Sequence, residues 1–469
     1  MFSHRATRAV FCTAIVAASM AFLAPLSVAE EQAKPQTLFK NVNVFDGKSD
    51  TLAEGMSVLV EGNLIKEVAK GDIETGDDAK VIDGGGRTLM PGLIDNHVHL
   101  MLPGPTLPAM EANSTWEDIA IHGVAQSKMY LMQGFTTVRD AGGANAGLQR
   151  AIDSGKILGP RLYPSGAFIG GRGGHADFAN YTAPLGAKSN FSRLNMAQDA
   201  DGVDDTLKIA RNNFRMGASQ LKVMQSGGVV SAFDPWQMEG RTVDEIKAAV
   251  EIANQYGSYA MAHSYRRDSI LRALNAGVKS IEHGFMYDCE IGDLMKEKGA
   301  YITTNLTAFA PGLFDIPAVR DVPASLRKAK SATASFSNYL DNMKKCPAKR
   351  GHHTDCVGTI SACQKQIAYE KYLNGNFFGN HTALVSMTSI GGEIAAMSGD
   401  FMNPYPEGKL GVIEEGAYAD ILVVDGNPLE DLSVIGTSDK WFDAPEPPES
   451  PETIHIIMKD GKVYKNTLN

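Results

Sequence analysis

Cysteine is scarce in this chain, with five among 469 residues. Cys12 falls in the N-terminal segment discussed below. Cys289, Cys346, Cys356 and Cys363 lack the spacing of a zinc knuckle, which excludes that kind of site. Three of these four cluster near Asp355; a local disulfide staple and free buried thiols both stay open there, and four cysteines allow three full pairings. Basic clusters are also missing, and the net charge is −10, which argues against nucleic acid as a partner. Beyond the N-terminus no run is long and apolar enough to span a bilayer. No glycine-rich nucleotide fingerprint follows the first strand of the central region, which counts against a doubly wound, dinucleotide-binding sheet.

What is present begins with a leader. His4, Arg5 and Arg8 precede an apolar run from Ala9 to Leu23, and Ser27-Val28-Ala29 supplies a small-x-small site before Glu30. This layout predicts a secretory signal over residues 1–29 and a mature chain that starts at Glu30. The expected location is secreted, periplasmic in a Gram-negative cell, with no membrane attachment after cleavage.

Past the leader the pattern changes twice. "TLFKNVNVFDG" and "SVLVEGNLIKEVA" alternate apolar and polar residues between Gly and Asp breaks, as do "ADILVVDGNP" and "IHIIMKDGKVYKN" near the C-terminus. Both ends therefore predict one small β domain, residues 30–92 with 407–469. Residues 93–406 alternate strand and helix: "GFTTVRDAG", "RLYPSGAFI", "SQLKVM", "SYAMAHS", "VKSIEHG" and "AYITTNL" are separated by amphipathic stretches. Thr242 and Glu245 form a capping box before one of them. With the segments around His97 and Asp355 the count reaches eight, the number that closes a TIM barrel. The predicted fold class is α/β, a (β/α)8 barrel with a small β-sandwich domain built from both termini. A helix is expected over about 325–343, and the Pro- and acid-rich 443–452 reads as a surface loop of the β domain.

The chemistry concentrates at strand ends. His97 and His99 in "PGLIDNHVHL" stand two apart, so on a strand they share a face and can chelate one metal. Lys222 lies inside the fourth strand, where burial lowers an amine's pKa. A neutral amine can capture carbon dioxide, and the resulting carbamate can bridge two cations; a lysine snorkelling to the barrel mouth is the alternative. His263 closes the fifth strand and His283 the sixth. Asp355, in "HHTDCVG", is the candidate of strand eight, able to bind one metal and take a proton from water. Two divalent ions are expected, zinc by default because imidazole suits it.

"LMPGLIDNHVHL", "GFTTVRDAGG", "LKVMQSGG", "AHSY" with "SIEHG", and "GVIEEGAYADILVVDGNPLED" together resemble the amidohydrolase superfamily, from about Leu38 to Lys465. Within it the chain resembles the imidazolonepropionase-like branch often called Xaa-Pro dipeptidases, which includes ochratoxin-hydrolysing enzymes. The resemblance implies a binuclear centre, usually zinc, bridged by hydroxide and a carboxylated lysine. Carried over, His97 and His99 bind the first metal, Lys222 bridges, His263 and His283 bind the second, and Asp355 ligates the first and acts as base. The branch carries Gly-Thr-Asp where this chain has His353-Thr354-Asp355, with His352 before it; these two histidines read as a metal-site addition or a local substitution. "GGRGGHAD" resembles the branch's substrate-facing Gly-Gly-His-Gly-Asp loop, which gives His175 a catalytic or substrate-holding role. Tyr265 matches a tyrosine that binds the substrate carboxylate. Arg172, Arg266 and Arg267 are further candidates for that anion, since a guanidinium clasps a carboxylate with two bonds.

The leading functional expectation is a hydrolase of an amide bond next to a free carboxylate, acting on a dipeptide or an N-acyl-amino acid. A cyclic-amide hydrolase and a non-catalytic secreted metal-binding protein are the alternatives. Deamination fits less well, because such enzymes typically lack the lysine bridge. Substrate side chains, metal identity and assembly into a homo-oligomer stay open.

Overall fold

Alternating apolar residues at the two ends of the chain meet in one sheet. The computed structural model describes residues 34–104, 106–336 and 338–468; the proposed signal lies outside them. Gln36–Val44 pairs antiparallel with Ala53–Glu61, which pairs with Leu64–Lys70. On its other edge Gln36–Val44 runs parallel to Lys80–Asp83 and Thr88–Pro91. Thr88–Pro91 then pairs antiparallel with Ile421–Val424, followed by Ile454–Lys459 and Lys462–Asn466. The inward residues, among them Phe39, Val42, Val58, Ile421, Val423 and Ile456, form a separate apolar core. This is the small β-sandwich domain of the fold.

The central region is parallel throughout. Leu93–Val98, Phe135–Asp140 and Arg161–Tyr163 form one run, and Phe168–Gly170, Leu221–Met224, Ala260–Ser264, Ser280–His283, Tyr301–Thr303 and Arg350–Gly351 form another, to whose edge at Phe168–Gly170 the short strand Ala197–Asp199 adds in parallel. Arg161–Tyr163 and Phe168–Gly170 are halves of one barrel strand; Pro164, which has no amide hydrogen to donate, separates them. The ring closes where the amide of Asn96 donates to His352 O at 3.0 Å and that of Asp355 to His97 O at 3.0 Å. Eight strand positions result, the TIM barrel. Their residues are almost all buried, as in a sheet covered by helices on the outside and packed side chains within.

The capping box of Thr242 and Glu245 opens the helix Val243–Gln255 as expected. The single helix expected over 325–343 is instead two, Pro323–Thr333 and Tyr339–Lys345. The chain breaks between them so that Phe336 turns inward onto Phe285, with ring centroids 4.3 Å apart; burial of an aromatic outweighs local helix propensity. The acid-rich loop is irregular, and it also lies over barrel helices: Glu446 accepts from Ser361, and Lys128 pairs with Glu449. Disulfides join Cys289 to Cys346 and Cys356 to Cys363. Among the described residues no helix is long and apolar enough to cross a membrane.

Candidate active site

At the C-terminal ends of the barrel strands five histidines, a lysine and an aspartate converge. His97 is next to last in the first strand and His99 follows the strand, their ring centroids 5.3 Å apart. Lys222 Nζ lies 3.4 Å from His97 Nε2. Asp355 Oδ1 is 3.2 Å from His99 Nε2 and 3.6 Å from His97 Nε2. His263 and His283, from neighbouring strands, are 4.5 Å apart, and His283 is 5.2 Å from His97. His283 and Asp355 take left-handed backbone conformations, with φ of 70° and 51°. Such conformations cost energy for non-glycine residues and recur where a side chain must be aimed.

The ring orientations follow from what the other nitrogens do. His97 Nδ1 donates to Glu282 Oε2 at 2.6 Å, His283 Nδ1 to Asn305 Oδ1 at 3.0 Å, and His99 Nδ1 to the Gly142 carbonyl at 3.1 Å. Each bond leaves an Nε2 lone pair. His263 is reversed: Nε2 donates to the Gly227 carbonyl at 3.3 Å, leaving Nδ1. Glu282 is itself held by Arg139 Nη2 at 2.8 and 2.9 Å, and by the hydroxyls of Ser280 and Thr303 at 2.5 and 2.6 Å. Asp95 ties the first strand to the eighth, accepting the Thr354 hydroxyl at 2.6 Å. Sequence reasoning missed Arg139, Glu282 and Asp95. Their signal was a charged residue in the middle of each barrel strand, which stands out only once both strand faces are known to be buried.

Burial sets the protonation states. It pushes His283 down to about 3 and lowers His97 and His263 well below the ordinary imidazole value, so these rings are neutral, the form that binds metal. Burial likewise pushes Lys222 down to about 8. Burial opposes ionisation of Asp355, yet its carboxyl is held well below the usual range. A tetrahedral ion with ligands about 2.0–2.1 Å away separates its donor atoms by roughly 3.4 Å. The spacings of 3.2 and 3.6 Å from Asp355 Oδ1 to His99 Nε2 and His97 Nε2 match that, so these residues fit a metal centre.

A cleft of about 1180 Å³, counting its open mouth, lies over these groups. Its walls are apolar, with Phe168, Phe178, Val229, Phe285 and Phe336 among them. His175 and Tyr265 line it. His175 stacks on His263 at 4.2 Å, with Nδ1 2.8 Å from Ser231 Oγ. Behind it Asp234, despite burial, is pushed down to about 2 by His175 and Lys328. The Tyr265 ring sits 4.7 Å from His263. Arg172 and Arg266 are not brought to the cleft. Arg172 donates to the Pro184 carbonyl and Arg266 to that of Gln237, with Glu239 and Asp268 each 3.7 Å from Arg266. Arg267 is likewise engaged, with Asp288 at 2.6 Å. Carboxylates and carbonyls of nearby loops thus hold all three guanidinium groups. His352 also turns away, its Nδ1 3.0 Å from Asn374 Nδ2, whereas His353 faces the cluster.

A TIM barrel whose strand ends carry neutral histidines, a buried lysine and an ionised aspartate defines a metal-dependent hydrolase of C–N bonds. The chain belongs to the amidohydrolase family, whose model matches residues 88–463. The ochratoxinase of Aspergillus niger is 28% identical over 410 residues, which is 80% of this chain and 75% of that protein. A prolidase crystallised with N-methylphosphonate-L-proline is 32% identical with a TM-score of 0.81, covering 92% of this chain and 100% of that one. A Xaa-Pro dipeptidase with methionine bound in its active site is 29% identical with a TM-score of 0.76, over the same shares.

Proposed function

We propose that this chain is an exported two-metal enzyme that hydrolyses the amide bond of a dipeptide or N-acyl-amino acid next to a free carboxylate. The observation that carries this reading is Lys222. It is buried with Nζ 3.4 Å from His97 Nε2, and burial weakens its charge. In this reading His97, His99 and Asp355 would hold one ion and His263 and His283 the other, with Lys222, as its carbamate, contributing to both. Zinc suits these donors, and when bound it would supply Lewis acidity and an acidified water.

The chain's own groups do the rest. Asp355 takes the proton of the attacking water and passes it to the amine nitrogen as the C–N bond breaks. His175 faces the acyl side and Tyr265 the substrate carboxylate. The apolar walls exclude water and favour bulky apolar side chains. The prolidase and Xaa-Pro dipeptidase likenesses support a substrate with a free carboxylate, and the ochratoxinase likeness supports an amide bond. Export rests on the leader alone. N-terminal sequencing of the native protein should begin at Glu30, and an intact Met1 would refute the cleavage.

The test of the activity is a panel of dipeptides and N-acyl-amino acids beside their C-terminal amides, run on protein of measured metal content. Free acids should be turned over and amides spared. Equal turnover of both series, or full activity with one ion per chain, rejects the reading.

A further inference from the structure

Two imidazoles stack face to face at the barrel mouth, and only one of them belongs to the ligand set implied by resemblance. His97 and His353 are 3.8 Å apart between centroids and 16° from parallel. His353 is fully buried. Its Nδ1 donates to Thr303 Oγ1 at 2.9 Å, because the Thr303 hydroxyl hydrogen is already given to Glu282 Oε2 at 2.6 Å. The same carboxylate oxygen receives His97 Nδ1. One acceptor therefore fixes the tautomer of both rings, the arrangement by which metal-ligating histidines are oriented.

The consequence is a lone pair on His353 Nε2, buried and without a hydrogen bond. That atom lies 3.9 Å from Asp355 Oδ2. Donor atoms of His97, His283, His353 and Asp355 all fall within 4.8 Å of one another, within reach of one ion. A buried nitrogen left without a partner is costly to the fold. His352 Nε2 is also unpaired, but that ring stacks on Phe135 at 5.7 Å and joins no cluster of donors. What distinguishes His353 is the set of donors it faces.

We infer that His353 is an additional metal ligand, donating Nε2 to the ion that His97 and Asp355 share. This rests on the reading of the strand ends as a metal centre. An extra neutral donor strengthens the hold on the ion and lets Asp355 loosen its grip when it moves a proton. His353 would thus separate two duties that otherwise fall on one carboxylate.

The experiment uses the full chain loaded with cobalt after removal of its native metal, with histidine labelled by ¹⁵N. A ligating imidazole gives a strongly shifted N–H resonance through the unpaired electrons of cobalt. The wild type should show such a resonance for His353 beside those of His97, His99, His263 and His283, assigned by its loss in His353→Gln. His353→Gln should also release metal on dialysis against a chelator at least 10-fold faster than wild type. His353→Phe, which keeps the stacked ring, should behave the same if its thermal midpoint shows it folded. A wild-type spectrum with no shifted resonance for His353 overturns the inference even if both variants fail to fold. Unchanged metal release in a folded variant overturns it too. Wild-type protein that binds no metal at all would instead refute the metal centre itself.

Discussion

Asp355 carries both a donor atom and a proton in the proposed reaction, and a single substitution separates the two. Asp355→Asn keeps the volume and one oxygen but cannot accept the proton. Turnover should fall by about 10²-fold or more, the scale of lost general acid–base catalysis, with most of the metal retained. Lys222→Ala should lose metal first and activity with it, because it removes the bridge. Turnover and metal stoichiometry measured on both variants decide the matter; near-normal turnover in a metal-replete Asp355→Asn would mean that another group moves the proton. Tyr265 calls for a different readout. Its ring is buried beside His263 and burial raises its phenol, so it stays protonated and able to donate. Tyr265→Phe should raise KM for substrates with a free carboxylate more than it impairs their amides. An equal loss on both would give the ring a packing role only.

The barrel strands show why some of the site was legible in sequence and some was not. His97, His99, His263 and His283 could be placed because each sits at the end of an apolar run, and Lys222 because it interrupts one, where a polar residue stands out and a strand's period of two sets its face. Asp355 was harder, because the segment before it is polar. Arg350, His352 and Thr354 are nonetheless buried, their polarity met in part by Asn374 and Asp95, side chains distant in sequence. Arg172 and Arg266 misled for the opposite reason: their partners lie on loops whose positions no periodicity reveals. The Arg139–Glu282 pair is the strongest case of hidden order, since both side chains are fully buried and together they brace His97. Arg139→Met should destabilise the fold by about 3–5 kcal/mol, because it strands the Glu282 charge. Urea unfolding measures this; a loss under about 1 kcal/mol would show that Glu282 is satisfied without Arg139. The helix Trp116–Met132 carries its own pH signature. Burial pushes His122 down to about 4 from 6.5, so the unfolded chain takes up a proton that the folded chain refuses. Its contribution is intact above pH 6.5 and is lost as pH falls toward 4, at up to about 1.4 kcal/mol per pH unit. His122→Leu should flatten the fall of the urea midpoint across that window, and an unchanged slope would exclude this histidine as a source of acid sensitivity.

For the molecule as a whole the two disulfides sit in different economies, and cutting each should be felt in a different measurement. Oxidising conditions, which the proposed export supplies, favour both. Cys289–Cys346 spans 57 residues and ties the start of one helix to the end of another. In the chain-entropy view a loop of that length is worth roughly 4 kcal/mol to the folded state. Cys356–Cys363 spans only 7 residues, for which the same relation gives roughly 2.4 kcal/mol. Yet Cys356 directly follows Asp355, whose backbone is held in a left-handed conformation, and Cys363 is buried on the helix Ile360–Phe378. The short bridge therefore anchors the carboxylate, and the long one anchors the fold. The Cys289→Ser/Cys346→Ser pair should lower the thermal midpoint most, with kcat at low temperature close to wild type. The Cys356→Ser/Cys363→Ser pair should lose less stability but more turnover, with metal content nearly kept. Calorimetry and kinetics on the two double variants provide the comparison. If the short bridge affects stability alone, Asp355 is positioned by its contacts with His99 and the His97 backbone, without help from the disulfide.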